Sequence, residues 1–321
     1  MRRTGFTLIA VLLVLAGLWS AGWWALASYA EREVDAFLAG EASDEVAISC
    51  PNRRIGGYPF RLTLACEGPV RLVSTDLEAE APALLAVARA ERPSEVETAL
   101  QSPLTLSAPF LAAPLTLTWQ EARLATGLRE PRFKLRLVEA TAGQGSLTAS
   151  ARSGFGQVSA AESGEETALD LAMSGLRITQ GELALPASDV IVKARLAGPP
   201  QALLAGVPHW RQAGLEARDL QAEWRLDGAR ILAEGPLRVD ANGILSGRLA
   251  VTVTGVDAIA KRVEGLPDGL REPMQLVLAA IGGLGVPVTV EGAPARQLTV
   301  SLENGAARIA FLNLGRVPPL Y

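Results

Sequence analysis

Histidine is nearly absent from this chain: His209 stands alone in 321 residues, beside two cysteines, Cys50 and Cys66, and only 5% aromatic side chains. One imidazole and one thiol pair leave most zinc sites and Ser-His-Asp arrangements without their parts. Two cysteines are also too few for a disulfide scaffold. Positive charge is not in excess either, with 30 Lys and Arg against 34 Asp and Glu for a net charge of −4. Arginines and glutamates alternate, so the clustered basic face that nucleic acid requires is missing and no nucleic-acid partner is expected. No long linker or low-complexity tract divides the chain. What is present, 49% apolar and 20% charged residues, is too hydrophobic for disorder, so the chain folds.

Phe6 to Ala27 form an uncharged run that would extend about 33 Å as a helix, close to the hydrocarbon thickness of a bilayer. Arg2 and Arg3 precede it, while Glu31, Arg32, Glu33 and Asp35 follow, which holds the amino terminus in the cytoplasm and exports the remainder. Trp19, Trp23 and Trp24 suit an aromatic belt at the outer interface. Ala25-Leu26-Ala27 also fits a signal-peptide cleavage site, so cleavage at Ala27 stays open. The expected organisation is a cytoplasmic tail (1–5), a transmembrane anchor (6–27), a periplasmic helix or linker (28–45) and one β-rich periplasmic domain (46–321). The localisation this implies is a bacterial inner membrane, crossed once, with the inner membrane itself as a partner.

Cys50 and Cys66 enclose fifteen residues, and an exported thiol pair can persist as a disulfide. The flanks Val46–Ser49 and Phe60–Leu64 could pair as strands and set the sulfurs side by side. A redox-active pair usually takes a C-x-x-C spacing, which is absent. The pair reads as a structural bridge.

After the anchor, Ser28 to Gly40 places Tyr29, Val34, Phe37 and Leu38 at helical spacing, with Gly40 as its stop. From Val46 the period changes to two. Leu115–Gln120, Phe133–Leu137, Leu220–Leu226 and Leu298–Glu303 each alternate one dry face with one wet face. Ala142-Gly143-Gln144-Gly145, Asp227-Gly228, Asn242-Gly243 and Asn304-Gly305 are turn signals for tight antiparallel hairpins. Pro109, Pro114, Pro186 and Pro287 belong at strand ends or edges. Two interruptions read as helical, Pro200–Ala213 and Val256–Leu284, the second broken at Leu266–Gly269.

The fold class expected is therefore mainly β: a long curled antiparallel sheet, groove or sandwich-like, with a few short helices behind one transmembrane helix. About a dozen strands in one sheet would be about 58 Å wide, beyond the size at which open sheets usually curl or split. The helical segments are too short to roof such a face. Either the sheet closes as a filled sandwich or it keeps an apolar groove, and exposed apolar strips of that size mark ligand or membrane contact.

Cys50-Pro51-Asn52-Arg53-Arg54-Ile55-Gly56-Gly57-Tyr58-Pro59-Phe60-Arg61, followed by Cys66, resembles the hallmark of a proteobacterial family, domain of unknown function 2125. Leu226–Ala229, Asp240–Gly247 and the closing Gly315–Tyr321 resemble the same pattern. The resemblance implies a membrane-anchored envelope protein and supplies no catalytic residues. The late strands are also similar to AsmA-like proteins, whose long curled sheets are implicated in carrying lipid between membranes.

Gly56–Arg61 combines a flexible turn, an X-Pro bond preceded by an aromatic, for which a cis peptide is worth checking, and two aromatics. Tyr58 and Phe60 either staple the hairpin to the core, or the loop is a membrane-proximal lip with Arg53, Arg54 and Arg61 facing phosphate headgroups. No G-x-S-x-G elbow accompanies His209, which reads as capping or lining a broken helix. Gly282-Gly283-Leu284-Gly285 lacks the Lys-Ser/Thr of a phosphate loop. Glu162, Glu165 and Glu166 read as a solvated loop.

No metal, cofactor or enzymatic activity is expected. The function expected is binding of lipid or another apolar ligand in envelope lipid traffic or assembly. Leu115, Leu117, Trp119, Phe133, Leu135, Leu137, Leu169, Leu171, Val251 and Val253 are candidate lining residues, each equally compatible with a sealed core. The alternative is a non-catalytic scaffold with a filled sandwich core that binds other envelope proteins.

Overall fold

A computed structural model describes residues 2–38, 46–74, 77–109, 111–127, 130–162, 164–200, 212, 214–264 and 268–320. The protein is mainly β, its strands belonging to one large antiparallel sheet, with short helices and one apolar amino-terminal helix. The chain forms two compact units, Met1–Thr118 with Ala122–Leu128, and Trp119–Glu121 with Arg129–Tyr321.

In the first unit, α1 (Arg2–Leu38) is continuous, so the apolar run and the amphipathic stretch after it are one helix of 37 residues, about 55 Å long. Gly40 lies outside the described residues. Leu13–Ala36 is long and apolar enough to cross a membrane, and none of its apolar window is buried, which separates it from a core helix. A signal sequence meets the same criterion.

Strands β1 (Val46–Ser49) and β2 (Arg53–Gly56) both pair with β3 (Arg61–Ser74). The expected pairing of Val46–Ser49 with Phe60–Leu64 is corrected. Val46–Ser49 lies against Arg71–Ser74, and Arg53–Gly56 lies against Thr63–Cys66. The turn after Gly56 fixes the β2–β3 register, and Cys50, three residues ahead of Arg53, then falls beside Cys66, the partner of Arg53. The disulfide forms, with Cα atoms 5.2 Å apart, and Cys66 is buried. Replacing both cysteines by alanine should lower the unfolding free energy of this unit by about 3 kcal/mol, read from urea melts, because the denatured chain regains the entropy of a closed loop. Beyond β3 follow β4 (Glu78–Arg89), β5 (Arg92–Leu100), β6 (Leu104–Ser107), β7 (Leu115–Thr118) and β8 (Glu121–Gly127). β4 pairs with β3, β5 and β6, β5 with β8, and β6 with β7.

The second unit is a meander. β9 (Phe133–Gln144), β10 (Leu147–Ala160) and β11 (Glu166–Gln180) are followed by the two-residue β12 (Leu183–Ala184). β13 (Ser188–Ala197), β14 (Leu215–Leu226), β15 (Ala229–Val239) and β16 (Leu245–Thr254) continue the sheet. Helices α2 (Val256–Val263) and α3 (Asp268–Leu284) intervene before β17 (Val286–Val290), β18 (Ala293–Glu303), β19 (Ala306–Ile309) and β20 (Leu312–Arg316). Both helices match the expected segment, except that Asp268 and Gly269 begin α3 instead of breaking it. The other expected helix falls mostly on residues 201–211 and 213, and it and His209 lie outside the described residues. Asn304 (φ 49°) and Gly305 (φ 78°) have the two left-handed positions that a two-residue hairpin turn demands. Pro287 sits on β17, which among the described residues pairs with β18 alone and is an edge strand where a missing N–H is tolerated.

The core of this unit gathers Val253, Ala280, Ile281, Leu298 and Ile309, with Ile231, Val251, Ile259 and Val277 packed around them. α2 and α3 therefore cover the sheet over β15, β16 and β18. On β14, buried Glu223 forms salt bridges with Arg225 (2.6 Å) and with Arg230, which stand opposite each other across the β14–β15 ladder. The carboxylate thus neutralises a like-charged cross-strand pair. The hydrogen bond from Arg225, with the charges of Arg225 and Arg230, holds the Glu223 carboxyl below the ordinary carboxylate range, while burial opposes the shift. A lowered folded-state pKa gives stability that is present above the unfolded value of about 4.3 and is lost as pH falls through the folded value. Glu223→Gln should therefore melt earlier than the parent at pH 7, by about 1–2 kcal/mol, and match it more closely near pH 3.

Candidate functional site

Strand pairing fixes which side chains share a face, and in the second unit it aligns apolar residues in continuous rows. One row runs Leu135, Gly156, Leu171, Val192, Ala222, Ala233, Val251 and Leu298, each directly opposite the next. The next, two residues along each strand, runs Leu137, Gly154, Met173, Val190, Trp224, Ile231 and Val253. A third holds Phe133, Val158, Leu169, Ala194 and Leu220. The first row crosses eight strands, about 34 Å at the usual strand spacing.

The rows are unevenly covered. Under α2 and α3, Val253 is 1% and Leu298 7% exposed. Ala194, Leu196 and Pro200 are also buried at the carboxyl end of β13. Away from these covered parts Leu135, Leu171, Met173 and Trp224 are 37%, 36%, 43% and 37% exposed. The side chains of Leu137 and Leu171 lean over Gly154 and Gly156, where a Cβ would meet them at 3.4 and 3.3 Å. Glycine at these two positions therefore lets leucines from both neighbouring strands close over β10.

Seven of the ten expected lining residues, Phe133, Leu135, Leu137, Leu169, Leu171, Val251 and Val253, lie in these rows, Val253 as sealed core. Leu115 and Leu117 belong to the first unit, where they face Leu106 and Leu104 on β6. Trp119 follows β7 and is half-buried, outside the rows. Met173, Val190, Val192 and Trp224 were legible from the same alternation but were not singled out.

Along β9–β11 the apolar rows stop at a break in pairing. Arg152 is left out of both ladders, and Glu139 (φ 47°) and Gly175 (φ 64°) adopt left-handed conformations beside it. A polar depression of about 480 Å³ is lined there by Glu139, Thr141, Ser150, Arg152 and Arg177 among others. Arg152 lies over Gly175, where a Cβ would come within 2.6 Å of its Nε. The only sequence signal was a charge interrupting Ala-Arg-Ser-Gly in an otherwise mild strand.

In the first unit the Tyr58-Pro59 peptide is cis. The turn it belongs to packs on α1: Trp19 Nε1 donates to Pro59 O (2.8 Å), Trp23 Nε1 donates to Arg61 O (3.1 Å), and Ser20 Oγ and Tyr58 Oη share a hydrogen bond of 2.7 Å. The Trp19 and Phe60 ring centroids are 6.1 Å apart, and Trp23 meets Tyr58 edge-on at 5.4 Å. Tyr58 and Phe60 remain more than half exposed, so they staple the hairpin to α1 and not to a core. Arg53 is paired with Asp35 of α1, and Arg54 with Glu67 at 3.3 Å. Arg61 is exposed and, among the described residues, has no carboxylate partner.

Among the described residues no group of three or more His, Cys, Asp or Glu is placed to hold a metal ion. A family model described as an uncharacterized protein conserved in bacteria (DUF2125) matches residues 23–318. No curated protein and no solved structure matches the chain.

Proposed function

The chain belongs to the bacterial DUF2125 family, and from that premise we propose that it is a non-catalytic, membrane-anchored envelope protein that binds lipid acyl chains on the open apolar rows of its second unit. In this reading α1 crosses the inner membrane, with Arg2 and Arg3 on the cytoplasmic side and the β units in the periplasm. The observation that carries it is the exposure of Leu135, Leu171, Met173 and Trp224 in register rows whose other end is sealed core. A soluble sheet normally covers such a face, and each further buried methylene of a ligand contributes about 0.8 kcal/mol. The change from apolar rows to Arg152 within about 7 Å along β10, and to Arg177 within about 13 Å along β11, suits an amphiphile with an anionic head. The loose likeness to lipid-carrying AsmA-like proteins points the same way.

The test is mass spectrometry of organic extracts from detergent-purified full-length protein. Phospholipid should accompany the parent at a fixed molar ratio, and Leu135→Asp or Leu171→Asp should lower it about tenfold, the change expected from roughly 1.4 kcal/mol of lost burial. Lipid held by α1 would survive both substitutions. Equal lipid in the parent and both variants, or none in any, leaves the scaffold reading in place of this one.

A further inference from the structure

We propose that the turn Gly57–Arg61 is a membrane-inserted tip, and that the pocket it forms with α1 holds one acyl chain of a phospholipid. The proposal rests on the reading of α1 as a membrane span and is independent of what the second unit binds.

The geometry is a hairpin laid along a helix. Arg53 is tied to Asp35, and Pro59 to Trp19. Sixteen helical residues separate Asp35 from Trp19, about 24 Å. From Arg53 to Pro59 the chain is extended over Arg53–Gly56 and then turns, so it reaches at most about 20 Å. With the lengths of the tethering side chains added this spans the interval, so the hairpin descends beside α1 towards its amino end. Trp19 lies eight residues before Ala27, the outer end of the expected span, and eleven before Ala30, after which charge begins, about 12–17 Å along the helix. A turn hydrogen-bonded to Trp19 is then at acyl depth, below the headgroups on that side.

The side chains fit such a medium. Both indole N–H groups and the Tyr58 hydroxyl are satisfied by the hairpin–helix contact itself, as lipid surroundings require. Ser20 Oγ also bonds Ala16 O at 2.7 Å, within its own helix. Phe60 at 66% and Tyr58 at 55% exposure would be a liability in water and are at home among acyl chains and at the interface.

Between helix and turn is a pocket of about 650 Å³, with Leu15, Leu18, Gly22, Phe60, Leu62 and Pro93 in its wall. Its size is that of ligand sites. Half of those six come from the helix that crosses the membrane in this reading, so the molecules that reach the pocket are lipids. Gly22 leaves the floor open: nothing stands within 4 Å of a Cβ added there. Arg61 and Arg89 stand in the same wall. Arg89 is occupied by Glu97 at 2.9 Å, whereas Arg61, with no carboxylate partner among the described residues, can extend its guanidinium to a phosphate while its stem stays in the apolar layer.

The chain has no free cysteine, so Phe60→Cys and, as an aqueous reference, Phe311→Cys can each carry a single nitroxide on the full-length protein in phosphatidylethanolamine–phosphatidylglycerol vesicles. Power saturation should show position 60 several-fold more accessible to oxygen than to a nickel chelate, with the order reversed at position 311, which is 82% exposed. Gly22→Phe should fill the pocket and lower the phospholipid retained after mild delipidation by one molecule per chain, whereas Gly17→Phe, also in open space on α1, should not. A label at position 60 that reports water, a Gly22→Phe protein that keeps its full lipid complement, a chain cleaved at Ala27, or a crosslink from position 60 to another protein in native membranes would each overturn the proposal. Leu171→Asp should leave the accessibility of position 60 and the one-molecule difference made by Gly22→Phe unchanged, whatever lipid the second unit loses, so failure here is distinct from failure of the acyl-binding face.

Discussion

Leu298→Asp should unfold the second unit at a urea concentration far below the parent midpoint, with a loss of about 4 kcal/mol or more. Leu298 is buried in one cluster with Ile281 of α3 and Ile309 and sits directly opposite Val251. The substitution removes a packed leucine and either buries a carboxylate or forces it to take a proton. Leu171 belongs to the same register row, five strand pairings away, but it is 36% exposed. Leu171→Asp should cost no more than about 2 kcal/mol, mostly lost strand preference and partial burial. The same substitution at two ends of one row thus separates sealed core from open face. A Leu171→Asp protein as unstable as Leu298→Asp would mean that the row is covered along its whole length, and the acyl-binding reading would lose its surface.

Gly255→Ala should be nearly as damaging, at about 3 kcal/mol or more. Gly255 enters α2 with φ 67° and ψ 38°, a left-handed conformation that alanine adopts at a cost of about 1–2 kcal/mol. Its Cβ would also fall 1.9 Å from the carbonyl oxygen of Gly228, in the β14–β15 turn, and 3.0 Å from Ala229 Cα. Backbone on both sides must move, which adds to the conformational term. Gly145 supplies the comparison: its φ is 57° but nothing lies within 4 Å of an added Cβ, so Gly145→Ala should lose only the conformational part. Thermal melts of the two variants would check this, and equal losses would mean that the Gly228 carbonyl yields freely.

Period-two alternation placed β9, β14 and β18 because each strand has one covered or lipid-like face and one wet face, and a local pattern records that difference. α2 and α3 were visible for the same local reason, as a change of period between Thr254 and Val286. The β1–β3 pairing was not visible. Two cysteines constrain a pair of sulfur atoms, and the register depended on where the Gly57–Phe60 turn closed. Trp19 and Trp23 carried a signal that was only half readable: their composition suggested a membrane interface, but the carbonyls they bond belong to residues about forty positions away. The break at Arg152 depends on left-handed residues in two neighbouring strands, Glu139 and Gly175, which no single strand pattern encodes. Exposure at Leu171 against burial at Leu298 was equally hidden, since both sit in similar alternating segments and only the position of α3 separates them.

The meander of the second unit also sets an order of assembly. β10 needs only β9, β11 only β10, and so on to β16, so each strand finds its partner already made when it arrives. Synthesis delivers about 5–20 residues per second, whereas a hairpin closes in about 1–10 μs. The ribbon therefore grows in step with delivery, carrying one live edge at its newest strand. A short pause follows β13, whose partner β14 begins after residues 198–214, and a longer one follows β16, whose partner β18 begins only after residues 255–292 have emerged. For those few seconds the edge of β16 away from β15 is an open template, and it is there that a chaperone or a second nascent copy has its opportunity.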